Sequence, residues 1–456
     1  MAMGGMAAGS SQSMPERGTI VDSLRVDNTP KETYALYLPT GYDPAVPAPI
    51  VFIFDPAARG RHAVEFFIPA AERYGYILVC SNQTRNGPYD RNFEIANRLF
   101  TQVFSRFQID PKRVYTAGFS GGARLASSIA LLTRQVQGVV ACGAGMASSP
   151  AYFQVSEPDN FSYAGIVGNV DMNYREMVNT RNWLNRLKVS NECFEFAGDH
   201  QWPPPEELVL AFDWLQMEAF RKGLIPADTQ QVQAIFEKYV RRARDLEATG
   251  ELLRAFDQYS RVLRTFGPYV GLDSIASRKQ QLAETKPYKK ARKAWEASQA
   301  QEDTLVSRYS SRMYRDIALH NSQVRAWWER EISKLEGQRA KADPERRQML
   351  ERVLNNIWAM AHSRATDDAM TPTLPEKAFC LDLCIRTKPS VPLAYFLQMQ
   401  NYLKGNDPDA ALDYLEKLLG SGFSNFEWIR NSKTLEPLRG MARYVEIMNQ
   451  KGMGKN

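Results

Sequence analysis

Hydrophobic residues in the first half of the chain occur in short continuous runs, separated by longer segments in which they recur every three to four positions. A continuous run such as residues 50–54 is typical of a central parallel strand, because helices cover both faces of such a strand. The longer segments have the spacing of amphipathic helices. This alternation predicts an α/β fold with a doubly wound, mostly parallel sheet. The predicted strands are residues 18–25, 33–38, 50–54, 76–81, 138–142, 164–167 and 193–196, and the predicted helices are residues 63–74, 93–107, 123–132, 175–187 and 205–217.

The pattern changes after residue 221. Strand signals disappear, charged residues become denser, and the remaining apolar positions recur at helical spacing. At 456 residues the chain is also too long for one ordinary core. The predicted organisation is a flexible leader at residues 1–17, an α/β domain at 18–222, a linker at 223–229 and an all-helical domain at 230–456.

The best candidate for chemistry is Gly118-Phe-Ser-Gly-Gly122, which connects a β-branched and aromatic run to a predicted helix. Gly-x-Ser-x-Gly between a strand and a helix is typical of a nucleophile elbow, in which glycines leave room for a sharp turn. Ser120 is the predicted nucleophile, and the amide of Gly121 would point toward a developing oxyanion. The alternative is an ordinary glycine-rich connection.

A serine nucleophile needs a histidine base, and the chain has four histidines. Only His200 follows a strand end in the α/β part after Ser120. His62 comes before the serine, and the other two lie in the helical part. In the order Ser, acid, His that is usual for α/β hydrolases, His200 is therefore the predicted base.

The orienting acid should follow the strand between Ser120 and His200. Asp171 is in that position, whereas Asp159 precedes the strand. Asp199 is next to the histidine in sequence, but neighbours in extended chain point to opposite faces. We therefore predict Asp171 as the acid; its alternative role is to cap a turn.

The second oxyanion donor is expected from the loop after strand 50–54. Pro56 has no N–H, which makes the amide of Ala57 the predicted donor. Asp55 lies in the same loop, and a carboxylate aimed at an oxyanion would oppose catalysis. We expect it to point away or to pair with an arginine, Arg59 or Arg61.

Three motifs together resemble the α/β-hydrolase esterases grouped with polyhydroxybutyrate depolymerases and feruloyl or acetyl-xylan esterases. They are the elbow, Gly168-Asn-Val-Asp171 and Gly198-Asp-His-Gln-Trp-Pro203, the last being similar to that family's Gly-x-His-x-Trp-Pro. The resemblance covers residues 18–217. It implies cleavage of ester bonds without a cofactor, with Ser120 as nucleophile, Asp171 as acid and His200 as base. The family commonly has His-Gly where this chain has Asp55-Pro56.

Aromatic and amide side chains near these motifs are candidates for the substrate site: Trp202, Phe119, Tyr89 and Asn86. Trp202 could equally well pack the last helix of the α/β part. The segment 144–163 is short, which predicts no large lid and favours open or bulky esters.

The helical part contains two stretches, at residues 243–268 and 394–419, in which small residues and turns resemble tetratricopeptide-type helix pairs. No strict period connects them. The hypothesis for this part is a helical-repeat domain that contacts a protein partner or covers the substrate site. The Trp327-Trp328 pair in this part is predicted to pack in a core rather than to bind a ligand.

Composition narrows the function classes. The net charge of +6 and a basic cluster at residues 286–293 are typical of a solvated surface, so no nucleic-acid partner is predicted. No apolar run reaches transmembrane length. The five cysteines are scattered and form neither a disulfide framework nor a metal motif, so neither a metal nor a cofactor is predicted.

The sequence assigns no compartment. Its start lacks the basic and apolar regions of an intact signal peptide, so a periplasmic or secreted location requires that a signal was removed, and the chain is otherwise cytoplasmic. The predicted function is that of a serine esterase. The alternatives are a serine peptidase on the same fold, and a weak or inactive hydrolase that acts as a scaffold.

Overall fold

The computed structural model describes residues 15–146, 161–367 and 371–452, with side chains described up to residue 450. The predicted leader lies almost wholly outside these residues, and so does most of segment 144–163. The chain divides into two compact units, Met1–Tyr288 and Lys289–Asn456.

The first unit is built on one sheet of eight strands in the order β1-β2-β4-β3-β5-β6-β7-β8. The strands are β1 (Ile20–Arg25), β2 (Thr33–Tyr37), β3 (Ala48–Phe54), β4 (Ile77–Ser81), β5 (Ile109–Phe119), β6 (Gly138–Cys142), β7 (Ser162–Gly168) and β8 (Asn191–Phe196). β2 pairs antiparallel with β1 and with β4, and every other pair in the sheet is parallel. The predicted fold class is confirmed.

Helices cover both faces of this sheet and close a hydrophobic core on each. They are α1 (Gly60–Tyr74), α2 (Tyr89–Arg106), α3 (Gly121–Thr133), α4 (Tyr174–Arg186) and α5 (Pro205–Arg221). Val51 and Ile53 pack with α1 and α5 on one face, and Ile50, Phe52 and Phe54 pack with α2, α3 and α4 on the other. Because side chains alternate along a strand, a strand that is buried on both faces must be apolar at every position.

Three further helices belong to the first unit: α6 (Thr229–Ala248), α7 (Leu252–Phe266) and α8 (Asp273–Glu284). Ile235 and Tyr239 of α6 are fully buried in the same core as α1 and α5. The division between the units therefore falls between Tyr288 and Lys289, and not in the predicted linker at 223–229. The change to all-helical structure does occur there, but the first helices after it complete the α/β unit.

Arginines of α7 cover the outer edge of β8, the last strand in the sheet. Arg261 donates from Nη2 to the carbonyl of Cys193 at 2.6 Å, and Arg254 donates from Nη2 to the carbonyl of Glu195 at 2.6 Å. Arg261 also pairs with Glu192 at 3.1 Å, and both side chains are buried. An exposed strand edge would leave such carbonyls unpaired and open to other chains. This requirement explains why α7 packs against the sheet.

The second unit consists of helices. They are α9 (Lys286–Leu319, whose first residues precede the division), α10 (Ser322–Lys341), α11 (Pro344–Thr366), α12 (Leu374–Thr387), α13 (Pro392–Lys404), α14 (Pro408–Gly420), α15 (Phe426–Asn431), a 3-10 helix (Lys433–Leu438) and α16 (Ala442–Gly452). Trp328 is fully buried in its core, and Glu302 and Arg352 form a buried ion pair at 2.7 Å. The helix pairs α6–α7 and α13–α14 lie where tetratricopeptide-type pairs were predicted; the repeat class itself stays a prediction.

Among the described residues, none of the helices combines the length and the apolar character needed to cross a bilayer.

We expect Arg261→Ala to lower the free energy of unfolding of the first unit by about 3 kcal/mol, because it removes one partner of a buried ion pair. Arg264→Ala is the matched control. Arg264 contacts the same Glu192, but its side chain is 48% exposed, so its loss should cost about 1 kcal/mol or less. Chemical denaturation of the full chain measures both variants, and equal losses would contradict this account of the β8 edge.

Candidate active site

Ser120 lies in the sharp turn between β5 and α3, with backbone angles φ 52° and ψ −118°. The left-handed φ is costly for a residue other than glycine and needs support from its surroundings. The glycines around it allow the turn to pack closely. A Cβ on Gly118 would lie 2.3 Å from the backbone of Gly122, and a Cβ on Gly122 would lie 1.9 Å from the carbonyl oxygen of Phe54. Side chains would therefore break the turn at both positions, as expected for an elbow.

The structure brings Ser120, His200 and Asp171 together at the carboxyl ends of β5, β8 and β7. His200 Nε2 is 3.0 Å from Ser120 Oγ, and His200 Nδ1 is 2.9 Å and 3.0 Å from the two carboxylate oxygens of Asp171. Parallel strands end at the same edge of a sheet, which is why residues far apart in sequence meet there. The three side chains are hydrogen-bonded in series, which is the geometry that proton transfer from the hydroxyl to the imidazole would need.

Asp171 is held firmly in this arrangement. It is fully buried, and its Oδ1 also accepts the amide of Asn173 at 2.7 Å. The carboxylate can therefore fix the imidazole with Nδ1 protonated, which leaves Nε2 free to accept the proton of Ser120. The ring of Phe119 lies 4.6 Å from the ring of His200 and limits its movement.

Asp55 is buried beside this site and makes a dense set of hydrogen bonds. Arg59 donates to it from Nε at 3.0 Å and from Nη2 at 2.9 Å, and Trp202 donates from Nε1 at 3.1 Å. The amide of Ala57 donates to Oδ1 at 2.8 Å. Burial alone would raise the pKa of Asp55, but the hydrogen bonds from Arg59, Ala57 and Trp202 outweigh burial and hold that pKa below its ordinary value.

This network confirms the expected pairing of Asp55 with Arg59 and corrects the expectation for Ala57. The Ala57 amide is directed to Asp55, and so it is not presented to an oxyanion. The physical reason is local. A carboxylate that comes directly after a strand can fold back onto the amides of its own turn, which satisfies its charge within the loop.

The predicted substrate residues fall into two groups. Trp202 and Phe119 are almost fully buried, and Trp202 stacks on Phe66 at 5.7 Å, which favours its packing role. Tyr89 is half-buried at the start of α2, and Asn86 is exposed. A Cβ on Gly121 would lie 1.8 Å from Oδ1 of Asn86, so this carboxamide rests on the first residue of α3.

One polar pair near the site had not been predicted. Arg124, one turn after Ser120, donates from Nε at 2.9 Å and from Nη2 at 2.5 Å to the carboxylate of Glu176 in α4. The pair connects α3, which follows Ser120, to α4, which follows Asp171. Arg124 follows the elbow after one intervening residue, Ala123, but nothing in the sequence identified Glu176 as its partner.

Within the part of the chain that the structure describes, no group of three or more His, Cys, Asp or Glu residues is arranged to hold a metal ion.

A strand, a strained serine and a helix on a doubly wound sheet define the α/β-hydrolase fold. Solved structures similar to this chain include three esterases or hydrolases. A mutant of the feruloyl esterase module from Clostridium thermocellum, complexed with sinapinate, is 14% identical over 44% of this chain and 89% of its own, with a TM-score of 0.37. The ferulic acid esterase from Anaeromyces mucronatus is 17% identical over 44% and 91%, with a TM-score of 0.35. An S-formylglutathione hydrolase from Staphylococcus aureus is 12% identical over 43% and 95%, with a TM-score of 0.34.

No protein-family model matches the chain, and no curated protein matches it significantly.

We expect Asp55→Asn to lower the free energy of unfolding by about 2 kcal/mol at neutral pH, because it weakens charge-assisted hydrogen bonds inside the protein. The pKa of Asp55 is depressed in the folded state, so its contribution is full above the ordinary aspartate pKa of about 4 and is lost as pH falls through the folded value. The difference in the free energy of unfolding between wild type and Asp55→Asn should therefore become smaller in strong acid.

Denaturation at neutral pH and near pH 3 measures this difference. The matched control is Asp43→Asn, the same change at an exposed carboxylate, which should alter the free energy of unfolding by less than about 0.5 kcal/mol. A loss for Asp55→Asn that stays constant down to low pH would contradict the assigned role of the charge.

Proposed function

We propose that this protein is a serine esterase that cleaves carboxylic esters through an acyl-enzyme on Ser120. One observation carries the proposal. Ser120 is held at a strained backbone angle, with its Oγ 3.0 Å from His200 Nε2, and the other nitrogen of that ring is held by the buried Asp171. The choice of an ester is supported by the motif resemblance described above.

In the first half of the reaction, His200 Nε2 accepts the proton of Ser120 as Oγ adds to the ester carbonyl carbon. The carbonyl oxygen becomes an oxyanion close to the amide of Gly121, which lies in the first turn of α3, where no earlier turn supplies an acceptor. The tetrahedral species collapses to the acyl-enzyme. The alcohol leaves with the proton that His200 returns to it.

In the second half, water replaces the alcohol. His200 removes a proton from the water as its oxygen attacks the acyl carbon, and the released Ser120 Oγ takes that proton back. Asp171 keeps the tautomer and stabilises the imidazolium in both halves. The two halves of the reaction use only residues of this chain and one water molecule.

We expect the wild type to hydrolyse p-nitrophenyl esters between acetate and octanoate, and Ser120→Ala to fall to the uncatalysed rate. Asp171→Asn should lower kcat by about 10,000-fold, because the amide favours the wrong imidazole tautomer. Initial rates at neutral pH measure both effects, and the preferred chain length reports the size of the acyl site.

Ser105→Ala, the same change at an exposed serine of α2, is the control and should keep wild-type kcat. Turnover by Ser120→Ala at the wild-type rate would place the activity elsewhere. The absence of both turnover and fluorophosphonate labelling in the wild type would contradict the proposal as a whole.

A further inference from the structure

The loop after β3, residues 55–59, is the expected source of the second oxyanion donor, but the amides of residues 57–59 are already engaged. Pro56 has no N–H. The amide of Ala57 donates to Asp55 Oδ1 at 2.8 Å, and the amide of Ala58 donates to the Asp55 carbonyl at 3.2 Å. The amide of Arg59 is directed to Oδ1 at 3.3 Å. Residues 56–59 therefore leave no amide for an oxyanion, which favours a second donor from another element.

The side chain that lies beside Gly121 belongs to Asn86, in the loop after β4. A Cβ added to Gly121 would lie 1.8 Å from Asn86 Oδ1 and 3.7 Å from Asn86 Nδ2, so the carboxamide rests directly on the Gly121 backbone. The last torsion of an asparagine is broad and roughly two-fold, so a half-turn exchanges its oxygen and nitrogen. That half-turn places an N–H donor beside Gly121, where Oδ1 now lies.

The backbone fixes the position of Asn86. Its own amide donates to the carbonyl of Pro56 at 2.9 Å, and Arg85 pairs with Ala57 in an antiparallel bridge. The side chain of Asn92 in α2 also holds the loop by donating from Nδ2 to the carbonyl of Arg85 at 2.8 Å. A loop backbone held in this way keeps the Asn86 carboxamide beside Gly121, so that only its last torsion has to change to present the N–H group.

We propose that the carboxamide of Asn86 is the second oxyanion donor of this site, in the role that an amide of the β3 loop would otherwise have. The assignment rests on the proposed esterase function. When Ser120 Oγ adds to the carbonyl carbon, the C=O π pair moves onto oxygen, and the N–H groups of Gly121 and Asn86 Nδ2 donate to that oxygen. Asn86 transfers no proton, and its hydrogen bond weakens again when the carbonyl re-forms.

The test compares kcat and KM for p-nitrophenyl acetate. Asn86→Ala should lower kcat by about 100- to 1000-fold and change KM by less than about threefold, because the lost bond forms only in the transition state. Asn86→Asp keeps the shape and guards against misfolding of the alanine variant. It should lose at least as much, since a carboxylate has no donor and repels an oxyanion. Asn97→Ala, the same change on the exposed side of α2, should keep wild-type kcat.

Gly121→Ala gives an independent test of the position. Its methyl group would displace only the far end of the Asn86 side chain, so the variant should fold. With the carboxamide already displaced, adding Asn86→Ala to Gly121→Ala should cost little further kcat. A full additional loss in the double variant would show that Asn86 does not act from this place.

The rate at which a fluorophosphonate labels Ser120 separates the two proposals, because labelling requires the activated serine and no carboxylic ester. If the wild type is neither labelled nor active on an ester, both proposals fall. If the wild type reacts and Asn86→Ala reacts equally fast, only the Asn86 assignment falls. A change confined to KM would make Asn86 a ground-state contact and would also overturn it.

Discussion

The geometry of the site depends on one backbone contact, that between the nucleophile turn and the end of β3. A Cβ on Gly122 would lie 1.9 Å from the carbonyl oxygen of Phe54, so no side chain fits between the turn and the strand. The parallel pairing of β3 with β5 brings these backbones together. Because its neighbours leave the turn no room to relax, Ser120 keeps a φ of 52° and its hydroxyl stays within 3.0 Å of His200.

Much of this arrangement could be predicted from the sequence, because it follows from local patterns and from chain order. The strands of the first unit contain short runs of apolar or alternating residues by which they can be recognised, and parallel strands present their carboxyl ends at one edge. That rule predicts that Ser120, Asp171 and His200 lie close together, before any distance is known. The glycines of the elbow identify the turn for a similar reason, since only close backbone approach requires them at both positions.

The remaining features depend on contacts that no local pattern shows. Trp202 donates to Asp55 from 147 residues away, and Arg261 reaches Glu192 across 69 residues. On a predicted helix, Arg261 is indistinguishable from the arginines of a solvated face, so the pattern shows that α7 is a helix but not which surface it covers. The boundary between the units was misplaced for this reason. The edge of β8 requires a cover, and the helices after residue 228 supply it.

The surroundings of Asp55 determine whether Asp55-Pro56 would oppose catalysis at a position where the resembled esterases commonly have His-Gly. A free carboxylate at this place would repel an oxyanion, and this would favour the alternative of an inactive hydrolase. Here both of its oxygens are engaged by donors, and the guanidinium of Arg59 balances its charge. The same hydrogen bonds that neutralise the carboxylate also occupy the amides of its loop.

On the proposed assignment, the Asp-Pro pair changes the source of the second oxyanion donor without removing the chemistry. The amides of residues 57–59 are engaged within the loop, which is why we propose a second donor from a neighbouring loop. Asn86 lies on the loop that is hydrogen-bonded to Pro56, directly against Gly121. In physical terms, the buried acid occupies the amides of its own loop, and the proposed side-chain donor in the next loop takes the place that those amides would otherwise have.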